Sequence, residues 1–321
     1  MIIPSRFNKR SRDLLRGDDR GATSAPRRKH FFVATVVLAM LSACGSSSSP
    51  QQATNYTAFG NPELVTVTGY SGDIMEPFIS RDGTTLFFNN NGSNKDIYYA
   101  TYVNATTFNY VGPISAINTS FVEGTPTLDV NNKFYYVSTA NYNPPTTYDT
   151  LYSGTWNGST VTGSAALPGL AITTPGYVNF DIEVSPDGST IYFDDGVFSG
   201  KSYPDSANIA IAVDSGSGFA RIPDSATIMA NVNTADLEYA PAISADELEL
   251  FFTRLDLNTL QTGIYRATRT DTSSPFGMPQ LVSAITGFVE GPALSPDEKS
   301  LYYHRLNSTS GIFELYRVTR P

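Results

Sequence analysis

Five acidic residues, Glu76, Glu123, Asp181, Glu238 and Glu290, each stand just before a short apolar segment, and the five segments resemble one another. Carboxyl groups repeated in this way can gather at one place in a folded chain. There they could bind a cation, hydrogen-bond a sugar, or divide into a protonated acid and an ionised base able to cleave a glycosidic bond. Each segment has an anchor position, occupied by Pro77, Pro126, Ile182, Pro241 and Pro292. Counted back from it, the acid lies one residue away for Glu76 and Asp181, three for Glu123 and Glu238, and two for Glu290. Positions one and three back share a strand face; position two back joins them only through a bulge. The five acids are therefore the candidate ligand-binding rim. The competing role is structural, each acid accepting backbone hydrogen bonds within its own repeat.

A second acidic set follows the anchors. Ser-x-Asp, with or without glycine next, occurs at Ser80–Gly83, Ser185–Gly188, Ser244–Asp246 and Ser295–Asp297. Here Asp82, Asp187, Asp246 and Asp297 can accept from nearby N–H groups while Gly83 and Gly188 take positive φ, which is the chemistry of a tight turn. These residues are read as structural.

Little else could do chemistry. His30 and His304 are the two histidines, and neither completes a catalytic triad. No glycine-rich phosphate loop is present, and no cofactor or metal is implied. Asp194-Asp195-Gly196 with Asp205 lacks the ligand spacing of a calcium loop. Tyr142, Tyr148, Tyr152 and Trp156, near Asn157-Gly158, could stack on a sugar ring or pack an outer strand.

The elements that must position these groups are repeated strands. Each unit runs acid, anchor, short apolar strand, turn, aromatic strand. The aromatic strands are Leu86-Phe87-Phe88, Phe134-Tyr135-Tyr136, Ile191-Tyr192-Phe193, Leu250-Phe251-Phe252 and Leu301-Tyr302-Tyr303. The anchors are spaced by 49, 56, 59 and 51 residues. A third strand follows at Ile97–Ala100, Ile209–Ala212, Ile264–Ala267 or Leu315–Val318, and a fourth precedes the next anchor, as at Gln280–Ile285. Four antiparallel strands in about 50 residues make one propeller blade. The fold class is all-β: a propeller of five four-stranded blades. The last repeat stops after its third strand, and an orphan strand, Glu63–Thr68, precedes the first anchor. Pairing that strand into the last blade would close the ring and remove an exposed edge.

The motif Pro-x-(Ile/Leu)-Ser-(x/Pro)-Asp-Gly-x-x-Leu-(Tyr/Phe)-Phe resembles the WD40-like repeat of TolB-type propellers. The resemblance covers most of residues 60–321 and is strongest around Ser185-Pro186-Asp187-Gly188 and Ser295-Pro296-Asp297. It departs in the second copy, which has Asp129 in place of Ser, and in the fourth, where Glu247 replaces Gly. It implies a propeller and an envelope location, and no single activity.

The N-terminus reads as an address. A basic stretch, Arg27–His30, leads into the apolar run Phe31–Met40 and then Leu41-Ser42-Ala43-Cys44. This is a secretory signal, too short to span a bilayer permanently. Its last four residues resemble the lipobox of bacterial lipoproteins, which implies acylation of Cys44, the single cysteine. The domain layout is thus a signal with a long extension over 1–43, a flexible tether over 44–57 and the propeller over 58–321. Of 21 basic residues nine lie in 1–43, leaving a body with 12 basic and 27 acidic residues. So acidic a body repels phosphate backbones and disfavours nucleic acid as a partner.

These observations favour a lipid-anchored propeller at the outer membrane, facing the periplasm, that binds an envelope protein or a glycan without catalysis. The alternative is a glycoside hydrolase-like enzyme. Five-bladed propellers of the arabinanase and xylosidase kind carry three funnel carboxylates, and the candidates here are Glu76, Glu123, Asp181, Glu183, Glu238 and Glu290.

Overall fold

The computed structural model describes residues 55–201 and 203–321. Three short strands come first: β1 (Asn55–Tyr56), β2 (Gly60–Leu64) and β3 (Thr66–Thr68). Blade 1 is β4 (Met75–Ile79), β5 (Thr85–Asn89), β6 (Ile97–Asn104) and β7 (Thr107–Pro113). Blade 2 is β8 (Glu123–Leu128), β9 (Lys133–Ser138), β10 (Leu151–Trp156) and β11 (Val161–Ala166). Blade 3 is β12 (Tyr177–Val184), β13 (Thr190–Val197), β14 (Ser206–Asp214) and β15 (Phe219–Arg221). Blade 4 is β16 (Leu237–Ile243), β17 (Glu249–Leu255), β18 (Thr262–Thr268) and β19 (Gln280–Val282). Blade 5 is β20 (Val289–Leu294), β21 (Ser300–Leu306), β22 (Phe313–Thr319) and, from the other end of the chain, β2. The inner strands β4, β8, β12, β16 and β20 touch in that cyclic order and surround one axis. The chain is a five-bladed β-propeller. Among the described residues no helix is long and apolar enough to cross a membrane.

The aromatic strands are apolar throughout because they lie between two blades. β5 is buried along its whole length, as are the inner strands β16 and β20, while the outer strand β7 alternates. One apolar cluster fills each of the five gaps between blades. Between blades 1 and 2, for example, Phe87 meets Phe134 and Trp156 at centroid distances of 5.2 and 5.0 Å.

The Ser-x-Asp turns are wired alike. Asp82 Oδ1 accepts from Ser80 Oγ (2.6 Å) and Thr84 N (3.0 Å), and Thr85 N donates back to Ser80 Oγ (2.9 Å). Asp187, Asp246 and Asp297 repeat the pattern. Where glycine is missing, Glu247 (φ 58°) and Glu298 (φ 57°) take the left-handed position, at a cost of about 1–3 kcal/mol each. Both then tie blades together. Glu298 accepts from Ala245 N (2.6 Å), and Glu247 accepts from Tyr192 Oη (2.8 Å). In the second copy Asp129 does the work of the missing serine, accepting from Asn131 N and Lys133 N, both at 2.8 Å.

Ring closure involves more chain than one strand. The segment expected to close the ring, Glu63–Thr68, divides. β2 pairs antiparallel with β22 in blade 5, and β3 lies parallel on β7 as an extra strand of blade 1. The switch falls at one peptide: Val65 N donates to Leu315 O (2.8 Å) and Thr66 N to Thr106 O (2.9 Å). β1, placed in the tether by composition, pairs with β19 of blade 4. Its Tyr56 ring packs on Phe59 and lies under the Arg266 guanidinium, a burial that outweighs tether-like neighbours. Residues 55–68 therefore stitch blades 4, 5 and 1. The signal, Cys44 and the tether up to residue 54 lie outside the described residues.

Phe59 is the apolar anchor of this stitch, 2% exposed and edge-on to Phe251. Phe59→Ala should lower unfolding free energy by about 3–5 kcal/mol, measured by urea denaturation. Removing residues 58–70 should abolish cooperative unfolding by circular dichroism.

Candidate functional site

Every inner strand slips register at one place: between Met75 and Phe78, Gly124 and Thr127, Phe180 and Ile182, Tyr239 and Ala242, and Glu290 and Ala293. The extra residue in each bulge is left-handed: Glu76 (φ 50°), Thr125 (51°), Asp181 (45°), Ala240 (51°) and Gly291 (63°). The N–H groups of four of them reach across to the preceding blade. Glu76 N donates to His304 Nδ1 (3.0 Å), Thr125 N to Asn89 Oδ1 (3.1 Å), Ala240 N to Asp194 Oδ2 (2.9 Å) and Gly291 N to Thr253 Oγ1 (3.1 Å). All four acceptors occupy the position directly after an aromatic triplet. In blade 2 that position is Val137, whose side chain cannot accept.

The five candidate acids fall at three different places on this frame. Glu123 and Glu238 lie two residues before the bulge, wholly buried. Both clamp the loop before their strand. Glu123 accepts from Thr119 N (2.8 Å), Thr119 Oγ1 (2.9 Å) and Ser138 Oγ (2.8 Å), and Glu238 from Thr234 N (2.8 Å), Thr234 Oγ1 (2.7 Å) and Arg254 Nε (2.6 Å). Glu290 lies one residue before the bulge, paired in register with His304. Glu76 and Asp181 are themselves bulge residues and face the axis. Each bulge residue stands directly before its anchor, so Glu76 and Asp181 lie on the bulge and Glu290 beside it, whereas Glu123 and Glu238, three residues before their anchors, sit in β8 and β16 with their carboxyls turned to the preceding loops.

Groups that the sequence left unassigned complete the axial cluster. Asp194 and Asp181 lie against each other, and both accept from Ala240 N. Burial, then the nearby Glu76 charge, pushes the Asp181 carboxyl up to about 7. Burial and Asp181 hold Asp194 well above the ordinary carboxylate range. Tyr239 Oη donates to Glu290 Oε1, and Lys95 Nζ ion-pairs with Glu76 Oε1 (2.9 Å). His304 Nδ1 accepts a backbone N–H, so its proton sits on Nε2, 3.3 Å from Glu290 Oε2. Burial holds its pKa well below the usual value, keeping the ring neutral. The signal that could have exposed Asp194 and His304 is their shared position after the aromatic triplet.

Arg81, from the first turn, donates through Nε to Leu128 O (3.0 Å) and through Nη2 to Glu183 Oε1 (3.0 Å) and Val184 O (2.6 Å), spanning blades 1, 2 and 3. Between the inner strands is a hollow of about 30 Å³, lined among others by Glu76, Thr125, Asp181, Ala240 and Gly291. Glu76 Oε2, Thr125 Oγ1 and Asp194 Oδ1 are buried there or beside it with no partner in the protein.

The remaining candidates are dispersed. Asp195 pairs with Arg221 (2.6 Å) and Asp205 with Lys201, so neither joins Asp194 in a calcium loop. Among the described residues no group of three or more His, Cys, Asp or Glu side chains is placed to hold a metal. Trp156 is 6% exposed and packs on Phe87 and Tyr99; Tyr152 packs on Tyr136, and Tyr142 on Tyr148.

No family model matches this sequence, and no curated protein matches it. Solved structures do match in fold. A thermostable family-43 glycoside hydrolase is 14% identical, with 80% of this chain and 92% of that one covered and a TM-score of 0.52. The catalytic domain of the Coprinopsis cinerea GH62 α-L-arabinofuranosidase is 12% identical, with 84% and 97% covered and a TM-score of 0.55. TolB from Acinetobacter baumannii matches more loosely, at 13% identity, 77% and 55% coverage and a TM-score of 0.45. The two glycoside hydrolase likenesses agree with the fold, an all-β propeller.

The axial carboxyls give a signed pH dependence. Asp181 keeps its proton in the folded state up to about pH 7, whereas an unfolded aspartate loses it near pH 4. Between those values the native state binds more protons than the unfolded one, so stability falls as pH rises through the window and levels off above it. Asp181→Asn should flatten the fall, gaining on the order of a few kcal/mol at pH 8 relative to pH 4, read from urea unfolding at both pH values.

Proposed function

We propose that this propeller acts on a glycan at its axis and hydrolyses a glycosidic bond there, with the Asp181–Asp194 pair as general acid and Glu76 as general base. The observation that carries this is the asymmetry of the five bulges. Three consecutive ones present Glu76, Thr125 and Asp181, and the two opposite present Ala240 and Gly291, the smallest side chains available. One wall of the axis is thus polar and the other is cleared. Asp181 and Asp194 cannot both ionise in so buried a place, so the pair holds a proton at neutral pH. Glu76 sits against the Lys95 ammonium with one oxygen free, as a base must. Proton donation to the leaving oxygen and proton removal from water are the two operations that glycoside hydrolysis requires. That several propellers of this shape are glycoside hydrolases supports the reading by analogy of fold.

A second reading, a non-enzymatic binding or scaffold module for a protein or glycan, draws on Asp194 and His304 serving as blade-to-blade acceptors, which gives part of the cluster a structural role. In both readings the protein is exported and held in the outer membrane through lipid on Cys44, facing the periplasm; Cys44→Ser should abolish labelling by radioactive palmitate in growing cells.

Glu76→Gln and Asp181→Asn should each reduce release of reducing sugar from a polysaccharide panel by about a hundredfold or more, with folding retained by circular dichroism. Glycan binding by calorimetry without cleavage in the wild type would select the binding module instead.

A further inference from the structure

We infer that Glu76 Oε2 and Thr125 Oγ1 hold one water molecule between them in the axial hollow, and that this water is the nucleophile. The inference rests on the hydrolytic reading of the axis and assigns Thr125 as a positioning residue.

Three observations converge on it. The first is chemical: both atoms are buried and unpartnered, and both residues line the same hollow. The Glu76 side chain is only 10% exposed, and its other oxygen is taken by Lys95. A buried oxygen without a partner is costly, and an ordered water is the usual remedy. The second is spatial. A hollow of about 30 Å³ has room for a water or two. The third is conformational. Thr125 is β-branched and left-handed (φ 51°), at a position where Gly291 serves without strain. A strained β-branched residue persists where its side chain is used.

Hydrogen-bond polarity fixes the orientation of the water. A carboxylate only accepts, so the water donates one hydrogen to Glu76 Oε2. The Thr125 hydroxyl can donate to one lone pair of the water, which leaves the other lone pair free to attack. In the reaction the water oxygen bonds to the anomeric carbon as the bond to the leaving oxygen breaks. Glu76 takes the proton from the water, and the Asp181–Asp194 pair gives its proton to the leaving oxygen. One displacement by water inverts the anomeric configuration.

The test uses the full chain as wild type, Thr125→Val and Thr125→Ser. Valine keeps the shape and the strain and drops the hydroxyl; serine keeps the hydroxyl. Crystal structures should show a water bonded to both atoms in wild type and T125S and no water there in T125V. On the glycan that the wild type cleaves, T125V should lower kcat by roughly 10- to 100-fold, as expected for losing one hydrogen bond to the nucleophile, with KM little changed. T125S should restore most of the loss, and the product followed by NMR should appear with inverted configuration. A wild type that cleaves glycan without this water, with retained configuration, or with an unimpaired T125V variant overturns this inference alone. A wild type that cleaves no glycan overturns the hydrolytic reading whatever the density shows.

Discussion

One left-handed residue in each inner strand governs how this ring is put together. A regular strand would present its N–H groups to its neighbours within the blade. The bulge turns one N–H out of the ladder and toward the preceding blade, where Asn89, Asp194, Thr253 or His304 receives it. The hydrophobic clusters between blades are non-directional and would tolerate sliding. These four hydrogen bonds are directional, buried or partly buried, and costly to leave unmade. At four of the five junctions they fix how far one blade stands along the axis relative to the next.

The same geometry concentrates charge. Glu76, Asp181, Asp194 and Glu290 meet around the axis, with Lys95 the ammonium among them and His304 held neutral. Four ionised carboxyls against one cation in a buried region would be prohibitively unfavourable. The structure answers by protonation at Asp181–Asp194, by the Tyr239 hydroxyl at Glu290 and by the Lys95 pair at Glu76. Proton storage is therefore a consequence of the assembly, and it is also what a general acid needs.

The blades were legible in the sequence because their signals are local. Ser80-x-Asp82-Gly83 specifies a turn whatever surrounds it, and Leu86-Phe87-Phe88 can only be a strand buried on both faces. The site was less legible because it depends on a bulge that the sequence does not mark. Glu76, Glu123 and Glu290 look interchangeable in the chain, yet their offsets from a bulge fixed directly before the anchor send the first to the axis, the second to a loop clamp and the third to a histidine. Long-range pairing hid the division of the N-terminal segment at Val65 and Thr66, where the choice of sheet rests on carbonyls of Leu315 and Thr106. His304 stood alone in the sequence because its partners lie on other blades.

Where a repeat departs from its own rule, the departure asks for a reason. The acceptor rule fails in blade 2, at Val137, and the bulge it would have served is Asp181, the one bulge residue not followed by proline. Blades 2 and 3 are joined there by other means: Thr150 Oγ1 donates to Asn179 O, and Thr127 Oγ1 to Glu183 Oε2 (2.7 Å). Both bonds use side chains away from the bulge. The Asp181 N–H therefore has no side-chain acceptor at that position of blade 2, while its carboxyl accepts from Ala240 N beside Asp194. A fully regular ring would have placed an Asn, Asp, Thr or His at that step. The irregular one places a protonated carboxyl in the same hollow as Thr125 and Gly291, which gives the axis one polar wall.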